Sequence, residues 1–328
     1  MKDIFRIDLQ LFAEMNTQTT LLASEGNNLS AEMKTFYDMT LIDEASAQLV
    51  HDQFGQKRPI PANGGKTIEF RKFSSLPKAT TALTEGVTPN GNKLNVSTIT
   101  ATVKQYGDYI VQSDVLELTS IDNTIVEATK ILGKQAGLTL DTIVRNVLIA
   151  GTSVQYAGGK DSRASLTESD KLTVEEIQQA VAFLRAQNAP TIGGDYVAII
   201  HPYAAYDLMR DPEWIDSHKY AAPENLFVGE IGKVAGVRFV QTSEAAIASG
   251  GVFLTMILGE GAYGVTEITG GGLQTIVKQK GSAGTGDPLD QRSSVGWKAM
   301  KTAEILVPNY MVRIESKGAF SAKANANC

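Results

Sequence analysis

From Asp122 to Ala150 the chain runs without a proline, and Ile125, Val126, Leu132, Ala136, Leu140, Ile143, Val144, Val147 and Leu148 recur at close to helical spacing. About 27 residues at 1.5 Å each predict a rod of roughly 40 Å, well beyond the usual helix length, and such an element sets the long axis of whatever forms around it. Gly151 ends it. Gly133 and Gly137, inside it, each cost about 1 kcal/mol against alanine. Their presence predicts another chain segment packed closely on the helix there.

The segment before the rod has the opposite character. Gly55 to about Val103 holds Pro59, Pro61, Pro77 and Pro89, the turn pairs Asn63-Gly64 and Asn90-Gly91, and many threonines. Two β-rich pieces, Thr67 to Phe73 and Leu94 to Val103, flank a polar middle, which predicts a long two-stranded excursion rather than a core domain. Lys57, Arg58, Lys66, Arg71, Lys72, Lys78 and Lys93 face only Glu69 and Glu85 there. A long basic loop on a chain with 30 Lys+Arg against 36 Asp+Glu suits a binding element. Farther upstream, Phe5, Ile7, Leu9 and Leu11 alternate with Arg6, Asp8 and Gln10, the period of a half-buried strand, followed by a polar stretch from Met15 to Asn28. Such a strand calls for a sheet edge, in the chain's own sheet or on a neighbouring molecule. Ser30 can cap a helix carrying Met33, Phe36, Tyr37, Leu41, Ala45, Leu49 and Phe54, stopped by Gly55.

Beyond the rod, Thr173-Val-Glu-Glu176 reads as a capping box opening a helix with Ile177, Val181 and Leu184, closed before Pro190. Short elements follow: strands at Tyr196–Ile200, Val237–Gln241 and Val252–Leu258, a helix from Pro202 to Arg210, and final strands at Trp297–Leu306 and Tyr310–Glu315. The small-residue tail from Ala319 to Cys328 reads as disordered. A boundary falls near residue 190, with later strands free to return to the first domain.

A formal charge of −6 argues against a basic nucleic-acid binder. One cysteine, Cys328, leaves no intrachain disulfide and no cysteine metal site, and three histidines (His51, His201, His218) leave little for a histidine one. The apolar runs are far shorter than the ~20 residues that span a bilayer. Gly259-Glu-Gly261-Ala-Tyr-Gly264 spells a dinucleotide fingerprint, but β-branched residues and glycines follow it where a helix must open. Gly65-Lys66-Thr67 lacks the leading glycine of a P-loop, since position 60 is Ile60. His51 reads as a helical residue among polar neighbours. His201, before Pro202, suits a structural strand-to-helix corner, and Asp211, Glu213 and Asp216 near His218 suit a solvated helix end better than a cation site. No catalytic constellation, cofactor or metal is expected.

Three ordered stretches carry a resemblance. They are Tyr196-Val-Ala-Ile-Ile-His201-Pro202, continuing through Asp207-Leu208 to Asp211-Pro212-Glu-Trp214; Gly229-Glu-Ile-Gly-Lys-Val-Ala-Gly236-Val-Arg-Phe-Val240; and Asp287-Pro288-Leu-Asp-Gln-Arg292, followed by Gly296-Trp297-Lys298. With the opening Leu9-Gln-Leu-Phe-Ala13, the chain resembles tailed-bacteriophage major capsid proteins of the Hong Kong 97-type fold, and more narrowly the N4-type major capsid family.

The resemblance implies an α+β capsid fold and a non-enzymatic subunit. It implies an N-terminal arm (1–28), an N-terminal helix (29–54), an extended loop (55–105) over a neighbouring subunit, and a peripheral domain with the spine helix (106–190). An axial domain (191–280), return strands (281–318) and a tail (319–328) complete the order. Hexamers and pentamers of the chain would form an icosahedral shell enclosing double-stranded DNA without sequence-specific binding. The shell would carry a portal protein, a separate scaffolding protein and decoration proteins, would be assembled in the host bacterial cytoplasm, and would involve no membrane. The stretch before the first helix is short for a built-in scaffold segment, hence the separate one. Phe5, Ile7, Leu9 and Leu11 of the arm, with Lys66, Ile68, Phe70, Arg71, Lys72 and Lys78 of the loop, are the expected inter-subunit contacts, with Phe73 adding apolar surface. An encapsulin-like nanocompartment shell is the alternative, and a nucleotide-binding enzyme built on Gly259–Gly264 a remote one.

Overall fold

Ala128, Leu132, Ala136, Leu140, Val144 and Leu148 are all buried on the long helix. Four residues advance an α-helix by about 400°, so this buried line drifts roughly 40° per step. The helix thereby serves two cores in succession, and that drift organises the molecule. The computed structural model describes residues 39–45, 49–73, 76–83, 85–88, 90–120, 124–219, 232–282 and 287–328. Helices are α1 (residues 39–45), α2 (Asp114–Thr119), α3 (Thr124–Ile149), α4 (Val174–Ala186), α5 (Pro202–Met209) and α6 (Pro212–Lys219). Strands are β1 (Gln56–Lys57), β2 (Thr67–Phe73), β3 (Val96–Thr102), β4 (Lys104–Ser113), β5 (Val154–Tyr156), β6 (Tyr196–Ile200) and β7 (Lys233–Val234), then β8 (Val237–Gln241), β9 (Ile247–Ala248), β10 (Val252–Leu258), β11 (Tyr263–Glu267), β12 (Gln274–Lys278), β13 (Arg292–Ile305) and β14 (Met311–Ser316).

The first core lies between α3 and a five-stranded sheet. The 14-residue β13 is long enough to pair antiparallel with β11, β12 and β4, and β1 adds in parallel to β11. Leu132, Ala136 and Leu140 of α3 meet Val295, Trp297 and Ala299 of β13, with Leu41 and Ala45 of α1 closing the cluster. A Cβ on Gly133 would stand 2.9 Å from the Leu41 carbonyl oxygen, which is the close approach the glycine implied. The second core surrounds a seven-stranded sheet, β5-β14-β10-β6-β8-β7 with β9 on β10. Its central strands β6 and β10 are buried at every position, hence their unbroken apolar runs. Val144 and Leu148, at the far end of α3, join Ile199, Met256, Leu258 and Tyr263 between the two sheets.

Several expectations are corrected. Helix α1 does not reach Phe54: residues 49–50 are irregular and 51–54 form a turn, and the predicted start at Ser30 lies outside the described residues. Thr173 does cap α4, its hydroxyl accepting from Glu176 N–H at 3.4 Å. Glu176 does not complete the box, because its carboxylate instead accepts from Gln155 Nε2 (2.5 Å) and Gly158 N–H (2.9 Å). The tail after Ala319 is docked. Phe320 stacks on Tyr203 with ring centroids 4.6 Å apart, Asn327 N–H donates to the Ile247 carbonyl, and the buried Arg145 of α3 donates to the Asn327 carbonyl at 2.6 Å. Composition could not show this, since Asn327 acts as a strand-like partner only once β9 is in place. Sheet membership also cuts across the expected boundaries. β11 and β12, inside 191–280, belong to the five-stranded sheet, while β14, inside 281–318, pairs with β5 and β10 in the other.

Candidate assembly surface

The basic excursion leaves the body at a buried polar root. Asp141, fully buried on α3, accepts from the backbone N–H groups of Val50 (2.8 Å) and His51 (2.7 Å), and its other oxygen meets His51 Nδ1 at 2.7 Å. His51 is thus a buried anchor in a turn, not the polar helical residue expected. The Tyr263 hydroxyl donates to the His51 carbonyl. Burial, with the Asp52 carboxylate nearby, pushes the Tyr263 phenol far above its usual range, so it stays a donor. Lys301 lies 2.8 Å from Asp52 Oδ1 and Lys57 lies 3.4 Å from Oδ2. Next, β1 pairs with β11, and Ile60 both donates to Glu267 and accepts from Thr269. Sequence reading missed this root because Asp141 and residues 50–52 lie some ninety positions apart and meet only in the fold.

From the root, β2 and β3 form the two-stranded excursion in the register Thr67↔Thr102 to Phe73↔Val96. Phe70 and Ala101 are buried beneath Leu306, and the Phe70 ring lies against Gly264, where a Cβ would sit 2.9 Å from it. Phe70 is therefore spent on holding the hairpin to its own subunit, a correction to its expected role as a contact with a neighbour. Ile68 is half-buried beside it. Lys66, Arg71, Lys72 and Lys78 are exposed, with no ion-pair partner among the described residues. Farther out, Leu76, Leu83, Val87 and Leu94 are exposed. These apolar side chains were not foreseen. Their only signal is that they stand singly in a polar loop with no periodicity to send them to a core. The Phe73 side chain and Phe5, Ile7, Leu9 and Leu11 lie outside the described residues.

The residues of the three ordered stretches hold corners. The His201 Nδ1 accepts from Tyr203 N–H at 3.1 Å, Pro202 opens α5, and the imidazole stacks on Phe253. Burial lowers the His201 pKa from 6.5. Asp211 caps α6, which opens at Pro212, by accepting from Glu213 N–H (3.1 Å), and its second oxygen reaches Val174 N–H (2.8 Å) at the start of α4. Trp214 packs edge-on to Phe239. Gly236 turns β7 into β8 at a φ of +79°. Asp287, in the turn with Pro288 before β13, accepts from Arg292 N–H at 2.8 Å. A Cβ on Gly296 would meet Tyr109 Cβ at 2.7 Å, and Trp297 donates to Gln135 Oε1 at 3.3 Å. Residues 229–231 of the second stretch are outside the described part.

Gly264 lies within strand β11 and opens no helix, so no helix N-terminus is available to a pyrophosphate at this motif. Among the described residues no cluster of histidine, cysteine and carboxylates could hold a metal, and no helix is long and apolar enough to cross a membrane.

A family model described as phage capsid protein matches residues 96–314. The fold is similar to that of the cyanophage Pam1 capsid, with TM-score 0.66 and 11% identity over 96% of this chain and 100% of that one. The capsid of cyanophage P-SCSP1u gives TM-score 0.64 at 15% identity over 83% and 89%. A virus-like particle from Pyrococcus furiosus gives 0.52 at 12% identity over 87% and 100%. No curated protein sequence matches this chain.

Proposed function

The chain belongs to the phage capsid protein family and carries a Hong Kong 97-type fold, and from this premise we propose that it is the major head subunit of a tailed bacteriophage, of the N4-type branch. Copies of it associate into an icosahedral shell around double-stranded DNA. The family match through residues 96–314 carries this reading. The fold is also similar to that of a virus-like particle, but with a lower TM-score than the two cyanophage capsids, so the nanocompartment reading is second. DNA inside isolated particles, as against an enclosed protein cargo, separates the two. Assembly in the host cytoplasm, with a portal, a separate scaffolding protein and decoration proteins, completes the proposal.

The mechanism is association. A hairpin pinned by Phe70 and the Asp141 root projects cations that lack ion-pair partners among the described residues. Carboxylates on the next copy would receive Lys66, Arg71, Lys72 and Lys78, each exposed pair adding only about 0–1 kcal/mol and serving to set register. Several such interfaces per subunit act together. Phe5, Ile7, Leu9 and Leu11 would add an arm. Negative-stain microscopy of the purified chain, supplied with its scaffold where needed, should show closed shells. The variant Arg71→Glu/Lys72→Glu should stay folded, since both side chains are exposed, yet form no shells. Normal shells from it would sink the hairpin mechanism, and a chain that stays monomeric with its scaffold would sink the capsid reading.

A further inference from the structure

The outer face of the five-stranded sheet, turned away from α3, has a gap at its centre. Opposite residues of β4, β13 and β12 form three rows on this face. The rows are Val111, Ser294 and Lys278; then Tyr109, Gly296 and Ile276; then Gly107, Lys298 and Gln274. Glycine at 296 lets Tyr109 come close, since a Cβ there would stand 2.7 Å from the Tyr109 Cβ. It also leaves a hollow of about 350 Å³ lined by Tyr109, Ile276, Gly107, Ser294 and Lys278. That volume is at the lower end for binding sites and suits a single anchoring side chain. Tyr109 is 68% accessible and Ile276 38%, so the walls of the hollow are apolar and open to solvent.

Charge selects the occupant. Lys278 and Lys298 are exposed, have no ion-pair partner among the described residues, and stand one row to either side of Gly296. Rows on one face are two residues apart, so the lysines are roughly 13 Å apart along the strands. Asp108, also at the hollow, is already engaged: its carboxylate accepts from Gln135 Nε2 at 2.6 Å and from Tyr109 N–H at 2.8 Å. An extended segment repeats its same-face side chains about every 6.7 Å, so its residues i, i+2 and i+4 match cation, hollow and cation. The complementary pattern is acidic, apolar, acidic at that spacing. In this chain it occurs once, at Asp207, Met209 and Asp211, where helix α5 and the α6 cap hold it and Asp207 receives Ala319 N–H. A second copy therefore cannot supply it. Nucleic acid suits the site less, because Asp290 before β13 and Glu304 on the same face of β13 stand beyond its two ends and would repel a longer polyanion. We propose that the hollow docks an extended acidic segment of a protein other than this chain. An aromatic or aliphatic side chain sits over Gly296, and carboxylates two residues to either side pair with Lys298 and Lys278.

The test uses the unassembled full-length subunit and a fluorophore-tagged peptide, Glu-Ser-Phe-Ser-Glu, followed by fluorescence anisotropy. Binding should saturate, and serine in place of the peptide's phenylalanine should weaken it. Lys278→Glu/Lys298→Glu should weaken it at least about tenfold. Thermal melting of that variant should be unchanged, because both side chains are exposed. The charge-reversed peptide Lys-Ser-Phe-Ser-Lys should bind the double variant and not the wild type, a rescue that misfolding cannot produce. Absence of saturable binding to the wild type, or equal binding to the double variant, would overturn the site. Displacement of the peptide by a short oligothymidylate would assign the lysines to nucleic acid and overturn it too. So would self-association of the wild-type subunit in sedimentation that the double variant lacks, since a second copy would then hold the face. No arm requires a shell, so the outcome is separate from that of the capsid reading.

Discussion

At the scale of single residues, the side chains with chemical potential are used to join chain segments. His201 caps α5 through an unprotonated Nδ1 and lies flat on Phe253, and the cap needs the neutral ring because a protonated Nδ1 could no longer accept. Burial depresses its pKa in the folded state relative to 6.5. The unfolded chain therefore binds the proton more readily, and the contribution to stability is full above about pH 6.5 and is lost as pH falls through the folded value. Melting temperature should accordingly fall as pH is lowered from 7 towards 5. His201→Asn, which retains a capping oxygen, should flatten that slope, and an unchanged slope would remove His201 as its source. The residue type and its place before Pro202 were legible as a structural corner; its stacking partner Phe253, fifty positions on, was not.

Elements show where a pattern reading succeeds and where it stops. Helix α3 is legible because its period repeats over many turns, and the hairpin because β-rich pieces flank turn residues. The root of the hairpin was not, since Asp141 reads as a polar residue on a long helix until residues 50–52 fold beneath it. Asp141→Ala would strand two buried N–H donors at about 1–3 kcal/mol each. Its expected signature is local: amide exchange should accelerate across residues 49–60 and β2–β3, while β6 and β10 keep their protection. Uniform acceleration throughout the molecule would mean that the root is part of the global core. The same logic explains Phe70, whose alternating position in β2 shows that one face is buried but not whose surface buries it.

For the whole molecule, the proposed pairing of exposed cations across subunits predicts a response to salt. Raising sodium chloride from about 0.1 M to 1 M shortens the screening length from roughly 10 Å to 3 Å. Assembly of the wild-type chain, followed by light scattering, should weaken over that range if the hairpin cations set register; constant yield would leave them without a role. The sequence alone determined the long helix, the α+β class and the basic hairpin, because each follows from local periodicity or turn chemistry. Only the tertiary structure decided that Phe70 serves its own subunit and that the tail is buckled to Arg145 and Ile247. Local preference acts within a few residues, whereas burial is settled by whichever distant segment arrives to exclude water.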